Sequence, residues 1–160
     1  MRLPVAAHIV GMHRGERILV FHERIGKAEQ LASILRARGA ACAVYHSGIG
    51  PALRRDNLRL YRGGLVDVLI TCRALDEGID VPATTVAIVV SSTASTRQRI
   101  QRLGRALRAA PGKELASVYT LYATEPEEKR LATEASRLHG VAQTTWLREA
   151  LNGIGSSATW

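Results

Sequence analysis

The sequence predicts an α/β fold: an open, mostly parallel, doubly wound sheet flanked by helices, with a further helix at the C-terminal end. Three observations carry that prediction. Short apolar runs alternate with segments of helical periodicity through most of the 160 residues, and strands separated by single helices make βαβ units with parallel pairing. Hydrophobic residues are 46% of the chain, with Ala, Leu, Val and Ile dominant and a single Phe, which suits the interior of such a sheet. The length suits one domain large enough to bury a real core.

The elements follow in order. Residues 4–13 read as a helix ahead of the first strand, Ile18-Leu19-Val20-Phe21, whose unbroken apolar run marks a buried strand. Residues 25–38 read as a helix with Arg36 and Arg38 in its last turn, stopped by Gly39. Cys42 to His46 is the next strand, and residues 51–62 form a helix begun by Pro51 and ended by Gly63-Gly64. Strands follow at 66–71 and 86–91, then a helix from about Ser95, then a strand at 117–122. Residues 125–151 read as a C-terminal helix, with Glu early and Arg late, and 152–160 as a flexible tail rich in Gly and Ser. One domain is therefore expected over 1–151, its core at about 16–124.

The net charge is +8, from 19 Arg and 3 Lys against 14 acidic residues. A basic balance favours polyanionic partners, nucleic acid above all. No apolar stretch reaches the 18 or more residues of a membrane span, and the first ten residues lack the apolar core of a signal peptide. Cytoplasmic residence is the expectation. Cys42 and Cys72 are 30 apart, with no CxxC and no nearby His pair, so no zinc site is expected. The histidines show no ligand spacing either.

The most informative stretch is Arg97 to Arg108, with five arginines and no acid. At about 100° per residue, a helix here places Ile100, Leu103 and Leu107 on one apolar stripe. Arg97, Gln101, Arg105 and Arg108 share a different face, while Arg99 and Arg102 point elsewhere. Clustered cations repel unless an anion meets them, and guanidinium forks match phosphate oxygens. A solvated basic surface would not require that clustering. The pattern points to phosphate.

Within that stretch, Gln101-Arg102-Leu103-Gly104-Arg105-Ala106-Leu107-Arg108 resembles the last signature motif of superfamily 2 helicases and translocases, Gln-x-x-Gly-Arg-x-x-Arg. The resemblance implies that Arg105 and Arg108 reach the γ-phosphate of ATP as catalytic arginines, with Gln101 heading the motif. Val68 to Pro82 resembles the fifth motif: Thr71 matches the phosphate-touching position, and Gly78 and Asp80 the nucleotide-side positions. The Gly follows that Thr by seven residues, not the six of DEAD-box proteins, and Glu77 precedes it. This spacing is similar to that of DNA-acting excision-repair and restriction-type translocases. Ile18 to Phe21 with His22-Glu23-Arg24 resembles the fourth motif, and Tyr45-His46-Ser47-Gly48 the turn that follows it. Arg54 falls where relatives carry a helix arginine, although Arg55 can claim the place. By resemblance, Thr71, His22, Arg24, Ser47, Gly48 and Arg54 are the nucleic-acid residues.

The family resemblance implies a second RecA-like domain. Phosphoryl transfer needs a Gly-rich phosphate loop with Lys, a Mg²⁺ carboxylate and a group that positions water. None is visible in this sequence. Gly26-Lys27 lacks the flanking residues of such a loop, and Asp76-Glu77 lies too far beyond its strand to be the metal pair. ATP with Mg²⁺ is therefore expected to be held mainly by an N-terminal RecA-like ATPase domain, with DNA (or RNA) as the strand, and the chain alone is expected to be inactive. Two other classes remain open: a non-catalytic nucleic-acid binding module that keeps the fold, and a Rossmann-type nucleotide-binding enzyme. Gly48-Ile49-Gly50 suggests the latter, but Leu53 occupies the third glycine position of that fingerprint and Pro51 intrudes.

Overall fold

The structure, a computed structural model, describes residues 2–72, 81, 84–91, 117–136 and 145–146. It divides into two compact units, residues 1–123 and 124–160. In the first, α1 (Arg2–Met12) precedes β1 (Ile18–His22), α2 (Ile25–Ala37), β2 (Cys42–Tyr45), α3 (Pro51–Arg62), β3 (Val68–Thr71), β4 (Val86–Ser91) and β5 (Ser117–Thr120). The five strands form one sheet in the order β2-β3-β1-β4-β5, and every pairing is parallel. This is the parallel, doubly wound sheet that the alternation of elements predicts.

Strand direction explains the layering. The chain moves two places along the sheet from β1 to β2, then one place back to β3. Crossovers keep one hand, so a reversal of direction sends the next helix to the opposite face. Accordingly, α1 and α2 pack with Ile18, Val20, Val44, Ile70 and Ile88 on one face. Tyr61 and Leu58 of α3 pack with Leu19, Phe21, Leu69 and Val89 on the other. Both faces are covered over β1 to β4, whose residues are buried almost throughout.

Local sequence sets each element. On α2, Ala28, Leu31, Ala32 and Leu35 are buried at i, i+3, i+4 and i+7, a single stripe toward the sheet. Leu31 and Leu35 are fully buried, and each such side chain contributes about 1.5–3 kcal/mol of transfer free energy. Pro51 opens α3, whose first N–H groups need no helical partner. Gly64 closes it at φ +77°, with the Leu65 N–H donating to the Leu60 carbonyl at 3.0 Å. Tyr61 is wholly buried at the end of α3: its hydroxyl lies 2.7 Å from Thr84 Oγ1, and the Arg17 guanidinium sits 4.6 Å above its ring.

Three boundaries differ from the sequence reading by two residues. The first helix starts at Arg2, because Leu3, Ala6, Ala7, Ile9 and Val10 form a buried stripe against the sheet and α2. β3 begins at Val68: the Val66 N–H is drawn to the Leu60 carbonyl of the turn after α3. β5 ends at Thr120, although the Leu121 N–H still donates to Val89 at 2.9 Å.

In the second unit, α4 (Glu125–Ser136) begins with three acidic residues in its first turn, complementing the helix dipole. The Thr124 N–H donates to Glu127 Oε2 at 3.2 Å, the reciprocal half of a capping box, and Glu125 pairs with Lys129 at 2.8 Å. The helix expected over 125–151 is thus seen as far as Ser136; residues 137–144 and 147–151 lie outside the described part, as do the tail and the arginine-rich segment. Among the described residues, no helix is long and apolar enough to cross a membrane.

Candidate functional site

In an open parallel sheet, ligands meet the loops at the carboxyl ends of the strands. Across that edge the sheet order brings together Tyr45 of β2, Thr71 of β3, His22 of β1 and Ser91 of β4. His22 and Tyr45 are each followed by a short polar loop or turn. Three of the six nucleic-acid residues expected from the sequence are open to solvent here.

The loop after β1 is short and held from within. His22 is 8% exposed, and its Nδ1 accepts the Arg24 N–H at 3.0 Å. Arg24 is exposed and stands at the N-cap of α2. Pairing of β1 with β4 shifts register between Phe21 and His22, bringing His22 opposite Ser91. The Ser91 hydroxyl then donates to Glu23 Oε1 at 3.1 Å, which ties the loop to the neighbouring strand. Burial lowers the pKa of His22 from its ordinary 6.5; Glu23 opposes this, and Arg2, Arg24 and Lys27 reinforce it.

The turn after β2 is built around His46. Its ring is 2% exposed, with Nε2 at 2.7 Å from Glu29 Oε1 of α2 and Nδ1 accepting the Gly48 N–H at 3.1 Å. Ser47 and Gly48 are exposed beside it. A Cβ on Gly48 would meet His46 Nδ1 at 3.1 Å, which is why glycine occupies the position. Arg54, in the first turns of α3, lies with its guanidinium 6.0 Å above the Tyr45 ring. The Asn57 amide, one turn on, donates to the Val44 carbonyl at 2.8 Å and fixes α3 to β2.

Thr71, expected at a phosphate contact, is buried at the end of β3. Its side chain is 1% exposed, and its hydroxyl donates to the Val20 carbonyl at 3.3 Å, joining β3 to β1. His22 is likewise an internal support and not an open contact. Among the described residues expected to meet nucleic acid, Arg24, Ser47 and Gly48 are exposed and Arg54 is half-buried. Gly78, Asp80, Gln101, Arg105 and Arg108 lie outside the described residues. The sequence reading passed over His46 and Glu29 as functional groups. The available signal was a polar residue capping an apolar strand, two positions before a glycine.

Cys42 and Cys72 are both buried and unbridged, and burial raises the Cys42 thiol pKa. Among the described residues, no group of three or more His, Cys, Asp or Glu could hold a metal ion.

Residues 2–110 match the family model of the helicase conserved C-terminal domain. The chain is 31% identical over 144 residues to UvrABC system protein B of Carboxydothermus hydrogenoformans, covering 82% of this chain and 22% of that protein. It is 35% identical over 124 residues to a putative DNA 3'-5' helicase Rad25 of Halobacterium salinarum, covering 76% of this chain and 19% of the relative. The chain thus spans about a fifth of the length of these curated relatives. Among solved structures, the C-terminal domain of S. cerevisiae Dbp5 bound to Gle1 and IP6 superposes with a TM-score of 0.70 at 18% identity, covering 88% of this chain and 80% of that one. The Pyrococcus furiosus Hef helicase domain superposes at 0.64 and 20% identity, over 82% of this chain and 28% of that one. These neighbours share the RecA-like fold. The chain belongs to the helicase conserved C-terminal domain family of superfamily 2, on its UvrB-like side.

Proposed function

We propose that this chain is the second motor domain of an ATP-dependent helicase or translocase, with DNA as its strand. The observation that carries the reading is the carboxyl edge of the sheet, where Arg24 stands exposed on the loop after β1 and Ser47 and Gly48 on the turn after β2, with Arg54 half-buried at the start of α3. Arg24 and the Ser47 hydroxyl are donors suited to phosphate oxygens. Such an edge grips a backbone without sequence preference. The relatives named for the UvrABC system and for a DNA 3'-5' helicase support DNA over RNA.

The nucleotide side follows from motif positions. Arg105 and Arg108 neutralise charge on the γ-phosphate held by a partner RecA-like domain, and Gln101, Gly78 and Asp80 serve the nucleotide by their motif positions. ATP with Mg²⁺ belongs mainly to that partner. Domain closure on ATP and opening afterwards then shift the strand along the edge.

Fluorescence anisotropy with a labelled single-stranded oligonucleotide tests the edge. Contact with about 3 to 4 phosphates gives a log–log salt slope near −2 to −3, and Arg24→Ala lowers it by about 0.7. Binding that ignores salt would sink backbone recognition. The isolated chain should hydrolyse ATP no faster than a buffer blank; DNA-stimulated turnover by it would refute the half-site.

A further inference from the structure

Two histidines at the carboxyl edge make the same unusual contact. His22 closes β1 and accepts the main-chain N–H of Arg24, two residues on, at 3.0 Å. His46 follows β2 and accepts the N–H of Gly48, also two residues on, at 3.1 Å. Both rings are buried, and β1 and β2 flank β3 in the sheet. An N–H aimed at Nδ1 requires a lone pair there, so each ring is neutral with its proton on Nε2. For His46 that proton has a partner, the Glu29 carboxylate at 2.7 Å. The geometry is that of an Asx turn, in which a side-chain acceptor holds the backbone two residues ahead.

We infer that His22 and His46 are a matched pair of positioning residues: in their neutral form they hold Arg24 and the Ser47-Gly48 turn in the shape that meets the nucleic-acid backbone. The inference rests on the proposed function. Protonating either Nδ1 turns an accepted N–H into two opposed donors about 3 Å apart, which no small movement relieves. The charged groups facing His22 are Glu23 in its own loop, Arg2 of α1, and Arg24 and Lys27 at the start of α2. The carboxylate facing His46 is Glu29 of α2. Protonation of either ring therefore loosens the loop that it holds. The consequence runs against net charge: a chain at +8 with five histidines should grip a polyanion more tightly as pH falls. This edge should grip it more weakly.

The test uses the 160-residue chain and a labelled oligothymidylate at fixed ionic strength. Binding should be about tenfold weaker near pH 5.5 than near pH 8, the loss expected for about one hydrogen bond. H22Q/H46Q offers a donor near the Nε2 position but no acceptor at Nδ1, and should bind about tenfold more weakly near pH 8. H22N/H46N restores an acceptor where Nδ1 lay. It should recover most of the affinity lost by the Gln pair and no longer weaken in acid. If the Gln pair fails to fold, long-range ¹⁵N spectra of the wild-type imidazoles still decide: both rings must carry the proton on Nε2 near pH 8. A proton on Nδ1 of either ring, binding that tightens in acid, or Gln and Asn pairs that behave alike would overturn the inference. No binding at low salt would sink the proposed function itself; binding with a histidine-independent pH profile would sink the inference alone.

Discussion

Gly48→Ala is the sharpest single perturbation of the edge. Gly48 does not hold a positive φ, so alanine brings no backbone strain and the effect is one of contact alone. The new methyl would lie 3.1 Å from His46 Nδ1, 3.3 Å from Cε1 and 3.5 Å from Ile25 Cδ1. Comfortable carbon contacts are about 3.5–4 Å, so the ring must retreat by a few tenths of an ångström. It is pinned at both ends, by Glu29 at 2.7 Å and the Gly48 N–H at 3.1 Å, and retreat lengthens one of those bonds. Losing such a bond costs about 0.5–1.5 kcal/mol, within the range for mild overpacking. A loss of about 1 kcal/mol lowers Tm by about 2–4 °C in a domain of this size and, where it falls on the binding-competent turn, weakens oligonucleotide binding about fivefold. Thermal denaturation and anisotropy read the two effects. Gly26→Ala is the control: nothing lies within 4 Å of its added Cβ, and it sits in α2. There alanine should stabilise by up to about 1 kcal/mol and leave binding alone. A neutral Gly48→Ala, or a Gly26→Ala that harms binding equally, would refute the packed turn.

In a protein containing both RecA-like domains, Arg105→Ala or Arg108→Ala should cut ATP turnover about 10³-fold with most ATP affinity kept, whereas Arg99→Ala should do little; equal effects in a steady-state ATPase assay would make the segment a general basic surface. Leu35→Ala should lower stability by about 2–5 kcal/mol in chemical denaturation, since Leu35 is fully buried on α2; a loss below about 1 kcal/mol would contradict its place in the core. Stability should also fall on acidification. His22 has a folded pKa below its unfolded 6.5, so its contribution is complete above about pH 6.5 and is lost as pH drops toward the folded value. The slope should become shallower in His22→Asn, as urea midpoints across that range would show.

Much of the fold was legible because its signals are local. The run Ile18-Leu19-Val20-Phe21, the stripe Ala28, Leu31, Ala32, Leu35, and the boundaries set by Pro51 and Gly63-Gly64 each report burial or backbone conformation within a few residues. The motif spacings likewise placed Arg24, Ser47, Gly48 and Arg54 at one edge, because βαβ topology sends every strand's carboxyl end the same way. Strand order was not legible. That β3 inserts between β2 and β1 depends on pairing across dozens of residues, to which local periodicity is blind. Tertiary structure alone decided that Thr71 spends its hydroxyl on Val20, that Glu29 closes on His46 from 17 residues away, and that a register shift brings Ser91 to Glu23 through His22. A side chain's chemistry is written in its own position, but its partner is chosen by where the rest of the chain packs. For buried polar groups that partner determines whether the residue touches a ligand or holds the one that does.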